Sequence, residues 1–185
     1  MSHTMREVAK RAGVSPATVS RVLNKTRYIS VETQRRVLEV VRQLKYFKNG
    51  ARGTHEKDVF GKMMAPMAAT LGDDAAIDNV VAYIKTLPDN PASSTVNKNT
   101  DNGRKTYVTC GACHGADGRG VQATNAPRLA GMSDWYLVTQ LKNFKQGIRG
   151  AHPKDMYGPQ MASMAAILTD DQAASDLVAY INSLR

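Results

Sequence analysis

Apolar residues recur at spacings of three and four along most of the chain, and no βαβ pattern interrupts them, so the expected fold class is all-α. Residues 5–46 read as three short helices. The first runs from about Met5 to Ala12 and ends at Gly13. Ser15 then stands as an N-cap with Pro16 at the first helical position, opening a second helix to about Asn24. Ser30 starts a third, with Val37, Val40, Val41 and Leu44 on one face. Val8, Ala9, Val14, Val19, Val22 and Leu23 supply the rest of a small core. Further along, Ile77, Val80, Val81, Ile84 and Leu87 form a stripe that the N-terminal helices or the C-terminal part must cover. Helices are expected over Asp101–Cys110 and from Ser133 to about Gln146. A last one is expected behind Thr169-Asp-Asp-Gln172, a capping box, with Ala173, Leu177, Ala179, Tyr180 and Leu184 on its apolar face.

The chain also matches itself. Phe47-Lys-Asn-Gly-Ala-Arg-Gly-Thr-His-Glu-Lys-Asp58 aligns with Phe144-Lys-Gln-Gly-Ile-Arg-Gly-Ala-His-Pro-Lys-Asp155, an offset of 97 residues. Met64, Met67, Leu71 and Val81-Ala-Tyr-Ile84 then face Met161, Met164, Leu168 and Val178-Ala-Tyr-Ile181. The match reaches back to Gln43-Leu-Lys45 against Gln140-Leu-Lys142 and then fails, so one unit keeps only its C-terminal half. Between the copies, Leu87-Pro-Asp-Asn-Pro-Ala-Ser-Ser-Thr has linker composition. The expected division is therefore 1–46, 47–87, a linker at 88–99, and 100–185.

Charge sharpens this division. Residues 1–53 hold 12 Lys/Arg against 3 Asp/Glu, which accounts for the whole net charge of +9. A polyanion-binding head on a neutral body is expected, with double-stranded DNA as the partner of residues 1–53. No apolar run approaches the ~18 residues of a membrane span, and Met1-Ser-His-Thr-Met-Arg-Glu7 leads into a charged helix instead of a signal-like apolar core.

The candidate chemistry is Cys110-Gly111-Ala112-Cys113-His114, the C-x-x-C-H spacing that attaches haem c. Two thiols add across the porphyrin vinyl groups, and the adjacent imidazole is held under the iron. The alternatives fit less well. These are the chain's only cysteines, which excludes a four-thiolate zinc site, and a redox dithiol of the thioredoxin kind needs a βαβ setting. One covalent haem c is the expected cofactor.

Two resemblances add to this. Glu7-Val-Ala-Lys-Arg-Ala-Gly-Val-Ser-Pro-Ala-Thr-Val-Ser-Arg-Val-Leu-Asn24 resembles the helix-turn-helix headpiece of the lac-repressor family, over about residues 4–46. The resemblance implies that Pro16, Ala17 and Arg21 face bases from the recognition helix, and that Thr4, Ser15, Thr18, Ser20 and Asn24 contact phosphates. The family's hinge leucine and effector domain have no counterpart after Tyr46. Weak, salt-sensitive DNA binding near ~10⁻⁴ to 10⁻⁶ M is therefore expected.

Residues 100–185 are similar to class I cytochrome c, most closely to one domain of the dihaem class I cytochromes of bacterial periplasms, and 47–87 to half of another. That resemblance implies His114 as proximal ligand and Met161 as distal ligand. Spacing alone does not choose between Met161 and Met164. It also implies that the Pro127 carbonyl accepts from the axial imidazole, and that Leu129, Trp135, Tyr136 and Leu141 line the haem pocket. Met64, His55 and His152 are assigned no ligand role.

With both axial positions filled and no catalytic constellation elsewhere, the expectation is an electron carrier working with redox partner proteins, not an enzyme. A DNA-binding regulator with an inert or haem-free cytochrome part is the alternative. The modules disagree over compartment: the cytochrome part implies the periplasm, and the chain as written, with no signal peptide in view, the cytoplasm. A chimera joined at the shared Gln-Leu-Lys-x-Phe-Lys stretch explains both modules.

Overall fold

Val37, Val40, Val41 and Leu44 are half-buried along one helix, α1, which starts at Val31 and runs to Lys48. No glycine or proline interrupts it until Gly50, which adopts φ +81° and turns the chain. The expected boundary between residues 46 and 47 therefore falls inside a continuous helix. The third headpiece helix and the first helix of the half-copy are one element.

The computed structural model describes residues 31–88, 94–96 and 99–184; the two preceding expected helices and all eight expected DNA-contacting residues lie outside them. Among the described residues the fold is all-helical. The elements after α1 are α2 (Val59–Ala69), α3 (Asp74–Ile84), α4 (Thr100–His114), α5 (Asp134–Lys145), α6 (Gly158–Ala165) and α7 (Asp171–Ser183), with a short 3₁₀ turn at Gln122–Thr124.

The repeat is visible in the packing. Asp58 accepts from the Gly61 amide at 2.9 Å to start α2, and Asp155 accepts from Gly158 at 2.8 Å to start α6. Lys45 pairs with Asp74 at 2.7 Å, as Lys142 does with Asp171 at 2.6 Å. The guanidinium of Arg52 lies 4.4 Å from the ring centre of Phe47, and that of Arg149 4.5 Å from Phe144. One expectation is corrected here: α7 is capped by Asp170, whose side chain accepts from Ala173 at 2.8 Å, and not by Thr169. Asp73 does the same for α3.

The intact unit forms the main core. Tyr107, Leu137, Leu141, Leu168, Ala174, Leu177, Val178 and Ile181 pack together, and Cys110, Leu129 and Met161 lie against them. Helices α4 and α7 cross at Gly103, where a Cβ would stand 2.0 Å from the Asp176 carbonyl oxygen. Among the described residues the half-copy has no counterpart of α4. Its stripe is accordingly covered only in part: Ile77 and Val81 are buried, Val80 is half-buried, and Ile84 and Leu87 are exposed.

The segment read as a linker is anchored at its end. Asp134 is 1% exposed. It accepts from the Thr95 amide, from the Thr95 hydroxyl at 2.9 Å and from the Val96 amide at 2.7 Å. Burial pushes this carboxyl upward, but the donors from Thr95, Val96 and Trp135 outweigh it and hold the group below its ordinary value. Asp176 accepts from the Asn99 amide at 3.1 Å and from Asn102 Nδ2 at 2.9 Å.

Replacing Gly103 by valine must push α4 off α7. The expected loss is about 1–3 kcal/mol, as for other overpacked contacts, read as a lower urea midpoint. An unchanged midpoint would contradict so close a crossing.

Candidate functional site

The last turn of α4 carries Cys110, Cys113 and His114, and both cysteines are free thiols. Cys110 is half-buried against the core and Cys113 is exposed. Burial, with a smaller contribution from Cys113, raises the Cys110 thiol above its ordinary value. His114 is buried, and its Nδ1 lies 2.9 Å from the Pro127 carbonyl oxygen. A carbonyl only accepts, so Nδ1 carries the proton and the lone pair is left on Nε2. Burial holds this imidazole below its usual pKa despite the opposing pull of the Pro127 bond and the Glu39 charge, so the ring is neutral and ligand-ready.

The loop from Gly115 to Ala130 delivers Pro127. Gly120 donates to the His114 carbonyl at 2.7 Å, and the Gly118 carbonyl accepts from Leu129 at 2.8 Å and Ala130 at 3.0 Å. Gly120 has φ +81°, and a Cβ there would stand 2.6 Å from the Ala126 carbonyl oxygen, so only glycine fits. Thr124 donates to the Cys113 carbonyl at 2.9 Å, and the Tyr107 hydroxyl to that of Gly115 at 2.8 Å. Sequence reasoning missed Tyr107, although it lies one helical turn before Cys110 and is 3% exposed.

Cys110, Leu129 and Met161 each pack against the same core, and His114 is joined to Pro127 at the end of α4. Met161 packs against that core, whereas Met164 is 39% exposed. Leu141 belongs to the core cluster and Tyr136 is half-buried. Trp135 is 55% exposed, and its ring centre lies 5.5 Å from that of Phe60 on α2 of the half-copy. His55 and His152 hold matching loop positions, each Nδ1 accepting a backbone amide at 3.1 Å. Met64 lies on α2, 40% exposed. The residues at the end of α4 fit a covalently bound haem: two free thiols three apart, a neutral imidazole with a fixed tautomer, and a thioether on the same core.

Two family models match separate parts of the chain. The family model described as "Bacterial regulatory proteins, lacI family" matches residues 4–49, and that described as "Cytochrome c" matches residues 100–185. Cytochrome c4 of Azotobacter vinelandii is 37% identical over 83 residues, covering 44% of this chain and 39% of that protein. The thiosulfate dehydrogenase electron acceptor of Stutzerimonas stutzeri (strain A1501) is 31% identical over 142 residues, covering 71% of this chain and 60% of its own length. The HTH-type transcriptional repressor PurR of Pasteurella multocida is 51% identical over 43 residues, covering 23% of this chain and 13% of the repressor. The chain therefore spans less than two thirds of each of these relatives. The structure of Acidithiobacillus ferrooxidans cytochrome c4 superposes with a TM-score of 0.58 at 27% identity, covering 78% of this chain and 81% of that one. A lacI-family helix-turn-helix domain and a cytochrome c domain are both present, which is consistent with a chimera, and the cytochrome c family implies covalent haem c. Among the described residues no helix is long and apolar enough to cross a membrane.

Tyr107 yields a pH prediction. Burial, helped by Cys110 and Asp117, pushes its hydroxyl from 10.0 to about 12. Below pH 10 both the folded and the unfolded chain keep this proton. Above it only the unfolded chain releases it, so stability falls between about pH 10 and 12. The slope should shrink in Tyr107→Phe, measured as chemical-denaturation midpoints across that range.

Proposed function

We propose that the chain, which joins a lacI-family helix-turn-helix domain to a cytochrome c domain, is an electron-transfer protein carrying one covalent haem c. The observation that carries this reading is the buried His114, held through Nδ1 by the Pro127 carbonyl at the end of the helix that bears Cys110 and Cys113. Bound haem c supplies a one-electron iron couple. Cys110 and Cys113 would hold it by thioether bonds, and His114 would present Nε2 as the proximal ligand. Met161 would be the distal ligand; its place against the core, with Met164 more exposed, supports that choice. A thioether favours the reduced iron and raises the potential, as a carrier needs. The aliphatic core against which Cys110, Leu129 and Met161 pack would keep water from the bound group.

With His114 and Met161 both holding the iron, no coordination site would be left open for a substrate. The chain passes electrons to redox partner proteins and is not an enzyme in this reading. One haem per chain follows because the half-copy has neither cysteine nor histidine at the corresponding place. The functional units are the headpiece (1–46), the half-copy (47–87), the connecting segment (88–99) and the haem unit (100–185). Haem attachment assigns the working protein to the periplasm.

A second reading is favoured by the match of residues 4–49 to the lacI family and by the positive charge gathered in residues 1–53. In it the chain is a DNA-binding regulator and the cytochrome part is inert. Pro16, Ala17 and Arg21 would read bases, and Thr4, Ser15, Thr18, Ser20 and Asn24 would grip phosphates.

The haem reading predicts one haem per chain in a pyridine haemochrome assay after export, and none in a Cys110→Ala/Cys113→Ala protein. Absence of covalent haem from the exported wild type would refute it. Met161→Ala should lower the midpoint potential and abolish the iron–thioether absorption band, with Met164→Leu leaving both intact; the reverse result would move the ligand to Met164. For the DNA reading, Arg21→Ala should cost about 1–3 kcal/mol on a palindromic operator, and Thr18→Ala should weaken binding to all sequences alike. Mobility shifts at several salt concentrations measure both, and unchanged binding in the two variants would end that reading.

A further inference from the structure

Helix α2 turns its methionines toward solvent. Met63 is 67% exposed, Met64 40% and Met67 59%, beside Val59 and Phe60, which are exposed as well. The aligned helix α6 treats the same positions differently: Met161 packs against the core, and Gln160 stands where the half-copy has Met63. A third thioether is therefore particular to α2. The half-copy has no cysteine, so Met64 and Met67 have no covalent haem of their own to serve.

Helix geometry brings the three sulfurs to one turn. Residues three and four apart are neighbours, with Cβ atoms about 5–6 Å apart, and helical side chains lean toward the N-terminus. Met67 comes three residues after Met64 and four after Met63, so it leans back over the turn that carries both. A methionine side chain is unbranched and freely rotating, which lets its sulfur swing onto a shared ion. No harder donor competes on the helix. Lys62 is the only ionisable residue of α2, and its Nζ donates to the Glu56 carbonyl at 3.3 Å. Among the described residues no group of three His, Cys, Asp or Glu could hold a metal ion. Neutral thioethers do not displace water from Mg²⁺ or Ca²⁺, and they lack the imidazole, thiolate or carboxylate that Zn²⁺ takes. They select a soft ion, and among biological metals that ion is Cu(I).

We propose that Met63, Met64 and Met67 form a Cu(I) site on the exposed face of α2, three thioether sulfurs around one ion. Phe60 precedes Met63 by three residues and Met64 by four, and its ring centre lies 5.5 Å from that of Trp135. An occupied site is thus one aromatic contact away from the chain's single tryptophan. None of the three ligands belongs to the haem unit, so the site does not depend on haem attachment.

The test titrates Cu(I), held reduced by ascorbate without oxygen, and separately Ag(I), into the full chain. The two thiols are stronger ligands for soft metals and are kept out of play: as thioether bonds where haem is attached, and by Cys110→Ala/Cys113→Ala where it is not. Bound metal is measured by equilibrium dialysis. One saturable equivalent is expected, Trp135 fluorescence should fall in step with occupancy, and Zn²⁺ and Mg²⁺ should not compete. Met63→Leu/Met64→Leu/Met67→Leu keeps the apolar volume and should abolish that equivalent. Met67→Leu alone should weaken it by at least the roughly 10–100-fold that loss of even an outer-shell partner costs a metal site. Met156→Leu and Met164→Leu, exposed methionines outside α2, should leave it unchanged. A face that served only apolar packing, or docking of a protein, would not distinguish leucine from methionine. The proposal is overturned if the triple variant, or Met67→Leu alone, binds as the parent does, or if Zn²⁺ displaces Cu(I).

Discussion

The approach of α4 to α7 at Gly103 governs the rest of the intact unit. At that crossing a backbone carbonyl occupies the space a side chain would need, so the two helices meet nearly backbone to backbone. Tyr107 is thereby brought 5.4 Å from the ring of Tyr180 and driven into the core one turn before Cys110. Once that turn is fixed, the end of α4 is fixed too, and His114 arrives where the Pro127 carbonyl can accept a hydrogen bond from its Nδ1–H. The half-copy shows what happens without the crossing. Its α3 has the same apolar period as α7 and the same aspartate cap, yet Ile84 and Leu87 stay exposed, with no counterpart of α4 among the described residues.

The junction between the modules is a helix and not a hinge. Headpiece and half-copy both need a helix ending in Gln-Leu-Lys-x-Phe-Lys, and α1 serves both through one uninterrupted run of backbone hydrogen bonds. Bending such a helix costs hydrogen bonds, so within the described residues α1 holds one line from Val31 to Lys48, through Arg42 and Gln43.

Local signals and the repeat made much of this legible in the sequence. The stripes of α3 and α7 and the cysteine-bearing end of α4 follow from spacing alone. The shared loops at Phe47–Asp58 and Phe144–Asp155 follow from self-alignment, and their matching caps appear in the structure. Features set by competition or by distant partners were not legible. Thr169 looks like a cap, but Asp170 takes the position, as the aligned Asp73 of the other copy could have indicated. The run before Asn99 has the composition of a free linker, yet two buried aspartates nearly forty and eighty residues away hold its end. The expected boundary after Tyr46 lies inside α1, since no glycine or proline there stops a helix.

The paired arginines show why such misses cluster between the units. Within one repeat, Arg52 or Arg149 is simply a cation lying over its own phenylalanine, a local contact the alignment already contains. Only when the copies face each other does each arginine reach the glutamine of the other, and only then do two positive charges share one buried place. Duplication makes this unavoidable: a cation next to the symmetry relation meets its own copy. In a buried setting that encounter is unfavourable, and the charges of Asp155 and Glu39 offset it at Arg149.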